Sequence, residues 1–323
     1  TVFIGGGTPS VPECDVMEKL LQGLRDYFLF SADAEVTIEA NPGTLTPEKL
    51  SIYRKYGINR ISIGLQSPNN KELAMLGRIH NYAQFLESFQ MAREAGFSNI
   101  NVDLMFAIPG QCYEGWIENL RMVAALGPEH ISAYSLIIEE GTPFSRKKLD
   151  LPDEDTEYRM YEDVAVVLKE YGYHQYEISN YARDGHECRH NVGYWIRRDY
   201  LGFGIGAASL IDNVRFQNEK SLGTYLAHPL ESREEEQTLT VQDRMEETMF
   251  LGLRLTRGVS CVDFAEQYGR TVEEVYGEVI ARNVAYGLLT VTERKENQKI
   301  DRFLALTKRG LDLSNYVMAQ FLF

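Results

Sequence analysis

Four apolar runs are each followed at once by residues that can bind or polarise a ligand. Gly5-Gly6-Gly7-Thr8 follows residues 2–4, Glu39 follows 36–38, Gln66 follows 61–65 and Asp103 follows 100–102. Glycines without Cβ atoms let backbone N–H and C=O groups approach a ligand closely. Carboxylate and carboxamide oxygens accept hydrogen bonds from a ligand's donors. One acid behind a strand is ordinarily a cap or a turn residue. Several such ends converging point to a site. The glycine run has no Gly-Lys-Ser/Thr after it and is no clean dinucleotide fingerprint.

A second constellation lies at residues 186–195, HECRHNVGYW. His190 offers an imidazole of the kind that ligates haem iron, and Tyr194 and Trp195 offer flat faces for packing on a large ring. A hydrogen-bonding loop histidine followed by packing aromatics accounts for the same residues. His186-x-Cys188-x-His190 lacks the fourth ligand and the spacing of a structural zinc site. The glycines of LGFGIGAAS at 201–209 read as a close-packed strand and turn rather than a nucleotide loop.

These groups need elements to carry them. The strand-like runs, with a fifth at 131–134, recur every ~30 residues, the length of a βαβ unit, and amphipathic patterns at 14–28, 47–56, 82–95 and 113–126 lie between them. Thr46-Pro47-Glu48 is a helix start, and Gly57, Gly96 and Gly127 are stops. The pattern predicts an α/β fold with a parallel sheet, either open or a (β/α) barrel, in which ligands sit at the C-terminal strand ends.

The chain has 323 residues and a formal net charge of −14, which disfavours nucleic acid as a partner because phosphate binding depends on clustered Lys and Arg. Cys14, Cys112, Cys188 and Cys261 are widely spaced, as reduced thiols in a cytoplasmic protein would be. No apolar run has the ~20 residues of a transmembrane helix. A soluble cytoplasmic protein is expected, with peripheral membrane contact left open.

GGGTPS at 5–10, IEANPGTL at 38–45, RISIGLQS at 60–67, NVDLMFAIPGQ at 101–111 and YEISNYA at 176–182 together resemble the radical S-adenosylmethionine (SAM) proteins of the oxygen-independent coproporphyrinogen III oxidase family. The resemblance implies a partial (β/α)6 barrel, a 4Fe-4S cluster and SAM. It would place Gly6, Gly7 and Thr8 along the methionine part of SAM, Glu39, Gln66 and Asp103 at its amino and ribose groups, Arg78 at its carboxylate and Ile137 near its adenine. His190-Asn191-x-x-Tyr194-Trp195 is similar to the motif of the HemW branch, regarded as haem chaperones. That implies haem at His190, Asn191, Tyr194 and Trp195, His190 as a candidate iron ligand, and haem-accepting apoproteins as partners. A coproporphyrinogen III oxidase and a cluster-free binding module are the alternatives.

The family's Cys-x-x-x-Cys-x-x-Cys cluster loop does not occur in the sequence. The chain begins inside a strand, so the first barrel strand and cluster loop are expected to lie outside it, leaving it unable to build the standard cluster. Three domains are predicted: 1–145, a radical SAM partial barrel; 146–237, a barrel extension with an acidic linker at 231–237; and 238–323, a winged-helix-like domain. Residues 239–323 hold 11 Lys and Arg against 12 Asp and Glu, with Glu273, Glu274 and Glu278 on the helix that would otherwise read DNA. Such a face repels phosphate.

Overall fold

Apolar runs bounded by turn residues become the strands of a parallel sheet, and the amphipathic stretches become its crossover helices. The computed structural model describes residues 1–229, 231, 233–296 and 299–323, in two units, Thr1–His190 and Asn191–Phe323. In the first, the order is β1 (Val2–Ile4), α1 (Cys14–Tyr27), β2 (Val36–Ala40), α2 (Pro47–Lys55), β3 (Arg60–Gln66), α3 (Asn70–Met75) and α4 (Tyr82–Glu94). Then come β4 (Ile100–Phe106), α5 (Tyr113–Ala125), β5 (His130–Ser135), α6 (Glu154–Glu170), β6 (His174–Glu177), β7 (Asn180–Ala182) and α7 (Arg189–Trp195), which runs past the end of this unit.

The sheet order is β1-β2-β3-β4-β5-β7-β6. β1 to β5 pair in parallel, while β7 is antiparallel to both β5 and β6. The sheet is open, with β1 and β6 at its edges, as a partial barrel requires. The YEISN segment is the tight β6–β7 connection.

Helix starts follow the chemistry of their residues. Thr46 accepts from the Lys49 N–H at 3.2 Å with Pro47 in the first turn, and Asn81 forms a reciprocal capping box with Gln84. The core between helices and sheet contains Ile38, Ile61, Ile63, Ile100, Val102 and Phe85, all fully buried. α6 closes it: the buried Trp116 indole N–H donates to the Met160 carbonyl at 3.0 Å. Truncating Trp116 to Ala would cost ~3–5 kcal/mol.

The second unit has an antiparallel sheet of β8 (Ala208–Ile211), β9 (Val214–Asn218) and β10 (Arg233–Thr238), with α8 (Leu222–Ala227) before β10. Most of the stretch predicted as an acidic linker is therefore strand β10, paired with β9; Ser232 lies outside the described residues. Consecutive charged and polar side chains, Arg233 to Thr238, suit a strand with both faces largely wet.

The remainder runs α9 (Val241–Gly252), β11 (Val259–Ser260), α10 (Cys261–Tyr268), α11 (Val272–Ala285), β12 (Leu289–Glu296), β13 (Lys299–Leu306), α12 (Lys308–Asp312) and α13 (Ser314–Ala319). The order β11-α10-α11-β12-β13, with the sheet β11-β13-β12, is winged-helix-like. No described helix is long and apolar enough to cross a membrane.

Candidate functional site

The strand ends of the first unit surround a polar cleft of about 160 Å³. Gly7, Thr8, Glu39, Gln66, Arg78 and Asp103 line it, joined by Asn41, Ser62 and Gly64. At Gly6 and Gly7 the backbone is left-handed, with φ of 81° and 67°, and a Cβ at either position would meet nothing within 4 Å. The turn thus leaves open space where other residues would place a side chain. The Gly6 N–H donates to Glu39 Oε2 at 3.2 Å, tying the turn to the neighbouring strand.

Gln66 ends β3 with φ of 67°, where the register to β4 shifts between Gly64 and Gln66. A non-glycine residue in this conformation carries strain. Its Oε1 is buried and has no hydrogen-bond partner, an acceptor that a ligand donor would satisfy.

The charged groups are set by burial and by one another. Burial and the Asp103 carboxylate raise the pKa of Glu39, against the Gly6 N–H, which lowers it. Burial lowers that of Arg78, with Asp103 opposing. Arg78 Nη2 donates to Asn41 Oδ1 at 2.8 Å and to the Gly64 carbonyl at 3.3 Å, and Asn41 donates in turn to Thr8 Oγ1 at 3.2 Å. Asp103 Oδ1 accepts from Tyr134 at 2.6 Å and from Asn101 at 2.8 Å. Buried against that carboxylate, the Tyr134 hydroxyl is pushed well above its ordinary pKa, so it stays protonated and donates to Asp103.

Ile137 lies after β5, is 75% exposed and is absent from the cleft lining. Asn41 was not singled out from sequence, although IEANPG places it directly after the strand that carries Glu39. Its value lies in holding Arg78, which strand periodicity does not reveal.

The HNxxYW residues lie on α7. His190 stacks on Phe3, centroids 4.9 Å apart, and its Nδ1 is 3.0 Å from Thr1 Oγ1. Burial lowers its pKa, with Glu35 opposing, so the ring is mostly neutral at pH 7. Within the second unit, Tyr194 meets Tyr200 edge-on at 4.8 Å. Trp195 lines an apolar cleft of about 370 Å³ with Phe250, Leu251, Met318 and Leu322, and the Arg254 guanidinium lies 4.3 Å from the indole. None of the four cysteines is in a disulfide, and the described residues hold no group of three or more His, Cys, Asp and Glu arranged for a metal ion.

A sequence model of the radical SAM superfamily matches residues 1–123, and one of the HemN C-terminal domain matches residues 239–313. The solved structure of coproporphyrinogen III oxidase (HemN) from Escherichia coli has the same fold: TM-score 0.82, 24% identity, 99% of this chain and 76% of that one. The fold and its strand-end cleft define a radical SAM protein with a HemN-type C-terminal domain. Heme chaperone HemW of Bacillus subtilis is 38% identical over 333 residues, covering 100% of this chain and 85% of the relative. HemW of Lactococcus lactis is 36% identical over 327 residues, covering 100% and 84%, and that of Escherichia coli is 37% identical over 296 residues, covering 90% and 77%. The chain belongs to the HemW family.

Proposed function

We propose that the protein binds SAM in the polar cleft, binds haem through the α7 segment, and passes haem to acceptor proteins. The observation that carries this reading is likeness over the whole chain to relatives named heme chaperone HemW. The cleft fits the SAM half on its own terms. The open backbone of Gly6 and Gly7 leaves room for an extended methionine chain, with Thr8 beside it. Gln66 has an unsatisfied acceptor. Glu39 and Asp103 supply carboxylates for ammonium and ribose hydroxyls, and Arg78 lies where a carboxylate could pair with its unused N–H groups.

SAM bound beside a reduced 4Fe-4S cluster supplies radical chemistry. The four cysteines of this chain include no Cys-x-x-x-Cys-x-x-Cys run to hold such a cluster. What these residues can do is bind, orient and shield SAM. For haem, a largely neutral His190 is competent as an iron ligand, and Asn191, Tyr194 and Trp195 provide one polar group and two aromatic faces.

Titration of the chain with haemin, followed by absorbance, tests the reading. Saturable binding is expected, with a shifted Soret band in His190→Ala. An identical spectrum would move the iron ligand elsewhere, and absence of saturable binding would overturn the haem reading. Two decarboxylations of added coproporphyrinogen III by the intact protein with its cluster, in the presence of SAM and reductant, would assign it to the oxidase class instead.

A further inference from the structure

A continuous line of buried hydrogen bonds leaves the polar cleft at Asp103 and ends at the backbone of the segment that carries His190. The sheet register prepares it. Glu39 pairs with Ser62, Ser62 with Asn101, and Asn101 with His130, so one row of polar residues crosses four neighbouring strands. Such a row through a sheet core is costly unless every member is satisfied.

The members are satisfied, in one direction. Asn101 Nδ2 donates to Asp103 Oδ1 at 2.8 Å and to Ser62 Oγ at 2.8 Å. Its Oδ1 accepts from Ser132 at 3.1 Å and faces His130 Nδ1 at 2.6 Å. His130 Nε2 is 2.9 Å from the Tyr176 hydroxyl, which accepts from the Cys188 N–H at 3.3 Å. The Asp103 end fixes the rest. Its carboxylate can only accept, so Asn101 points its NH2 at Asp103 and its Oδ1 at His130. Nδ1 of His130 then carries the proton, and the neutral ring accepts at Nε2 from the Tyr176 hydroxyl. His130 is fully buried, and burial holds its pKa well below the ordinary value, as a neutral relay requires.

At the far end, the next two amides are held by one carboxylate. Arg189 N–H donates to Glu35 Oε2 at 3.0 Å and His190 N–H to Glu35 Oε1 at 3.0 Å. Tyr176 and Glu35 between them fix the backbone of three successive residues, 188 to 190.

We infer that this chain of residues couples the two ligand sites: SAM on Asp103 is felt through Asn101, His130 and Tyr176 as an ordering of residues 188–190, which raises the affinity for haem. The inference rests on the two-site reading above. Asn101 has no spare donor or acceptor, so a ribose hydroxyl that turns the Asp103 carboxylate turns the amide with it, and His130 and Tyr176 must follow. Tyr176 and His130 are positioning residues, which touch neither ligand. By linkage, haem must raise the affinity for SAM by the same factor.

The test uses SAM and haemin as probes on the wild-type chain, on Tyr176→Phe, which removes only the relay hydroxyl, and on Tyr173→Phe. The last removes a buried hydroxyl that donates to the Pro128 carbonyl, off the line. Calorimetry reports SAM binding, amide hydrogen exchange reports residues 187–195, and absorbance titration gives the haemin Kd with and without SAM. In the wild type, saturating SAM is expected to slow exchange at residues 188–190 and tighten haemin binding ~10-fold, within the usual range of coupling. The ratio should fall to about 1 in Tyr176→Phe and persist in Tyr173→Phe.

SAM and haemin that bind saturably with neither exchange nor Kd responding would overturn the coupling and leave the two-site reading standing. A full wild-type ratio in Tyr176→Phe would also overturn it. Failure of SAM to bind would take down both. The wild-type measurements decide the matter even if Tyr176→Phe does not fold, and failure of haemin to bind would overturn the coupling together with the haem reading it rests on.

Discussion

The polar cleft of the first unit and the apolar cleft of the second are built on opposite plans. In the first, the cleft-lining groups come from the ends of separate strands and the loop between α3 and α4, and most are already held by a neighbour: Arg78 by Asn41, Asp103 by Tyr134 and Asn101, and Glu39 by the Gly6 amide. In the second, Trp195, Phe250, Met318 and Leu322 line a larger space through nondirectional contacts. Preorganised polar sites lose an interaction completely when one partner goes, because the groups left behind stay buried and unpaired. Apolar clefts lose it gradually, since neighbours and solvent refill the space. The two should therefore respond to mutation on different scales.

The largest effects belong to the polar cleft. Asp103→Ala and Arg78→Ala are each expected to weaken SAM binding ~100-fold or more, about 3 kcal/mol, the scale of a lost charge-assisted bond with a partner left buried. Calorimetry with SAM checks this. Affinity unchanged in both variants would remove them from the site, and the contrast between the clefts with them. Asp103→Ala should also destabilise the fold, because Tyr134 and Asn101 lose an acceptor; a urea transition separates that loss from the loss of binding.

The same contrast explains what was legible in the sequence. Strand ends could be read because a polar residue after an apolar run is a local signal, and Glu39, Gln66 and Asp103 do share one cleft. The second tier could not. Asn101, His130 and Tyr176 lie within strands, and only the parallel register aligns Asn101 with His130, 29 residues away. Ile137 was placed by resemblance alone, with no periodicity to test it. Helix α6 was overlooked although Pro152-Asp153 announces it and Asp153 caps it, accepting from the Thr156 N–H at 2.8 Å. The acidic run at 231–237 misled because charge was read as linker, whereas β-pairing needs only backbone groups.

The apolar cleft supplies a smaller test. Trp195→Leu keeps an apolar side chain while removing the flat face and the nearby Arg254 cation–π contact, worth ~0.5–2 kcal/mol. Haemin affinity is expected to fall ~3- to 10-fold, with little change in SAM affinity. Unaltered haemin binding would separate Trp195 from the haem site and leave its cleft to another use. A loss as large as that of Asp103→Ala for SAM would show an apolar site as strict as the polar one, and would break the comparison from the other side.

The smallest effect is the pH response of Glu39, and it distinguishes a binding carboxylate from a structural one. Its pKa is raised above the ordinary 4.5 by burial and by Asp103, so the folded, empty protein resists ionising it. The stability it contributes is fully present below the ordinary value and is lost as pH rises through the raised one. An ammonium group bound beside it favours the ionised form. SAM affinity should therefore fall as pH drops through the raised pKa, by up to about tenfold per pH unit, one proton's worth. The two trends oppose each other: ionisation weakens the empty fold and strengthens binding. Glu39→Gln should flatten the SAM pH profile over that window while slightly stabilising the empty protein at pH 7, by comparison with the wild type in the same urea series. A parallel-shifted profile, with Glu39→Gln keeping the full pH slope, would mean that another group takes up the proton and that Glu39 serves only to hold the Gly6 turn.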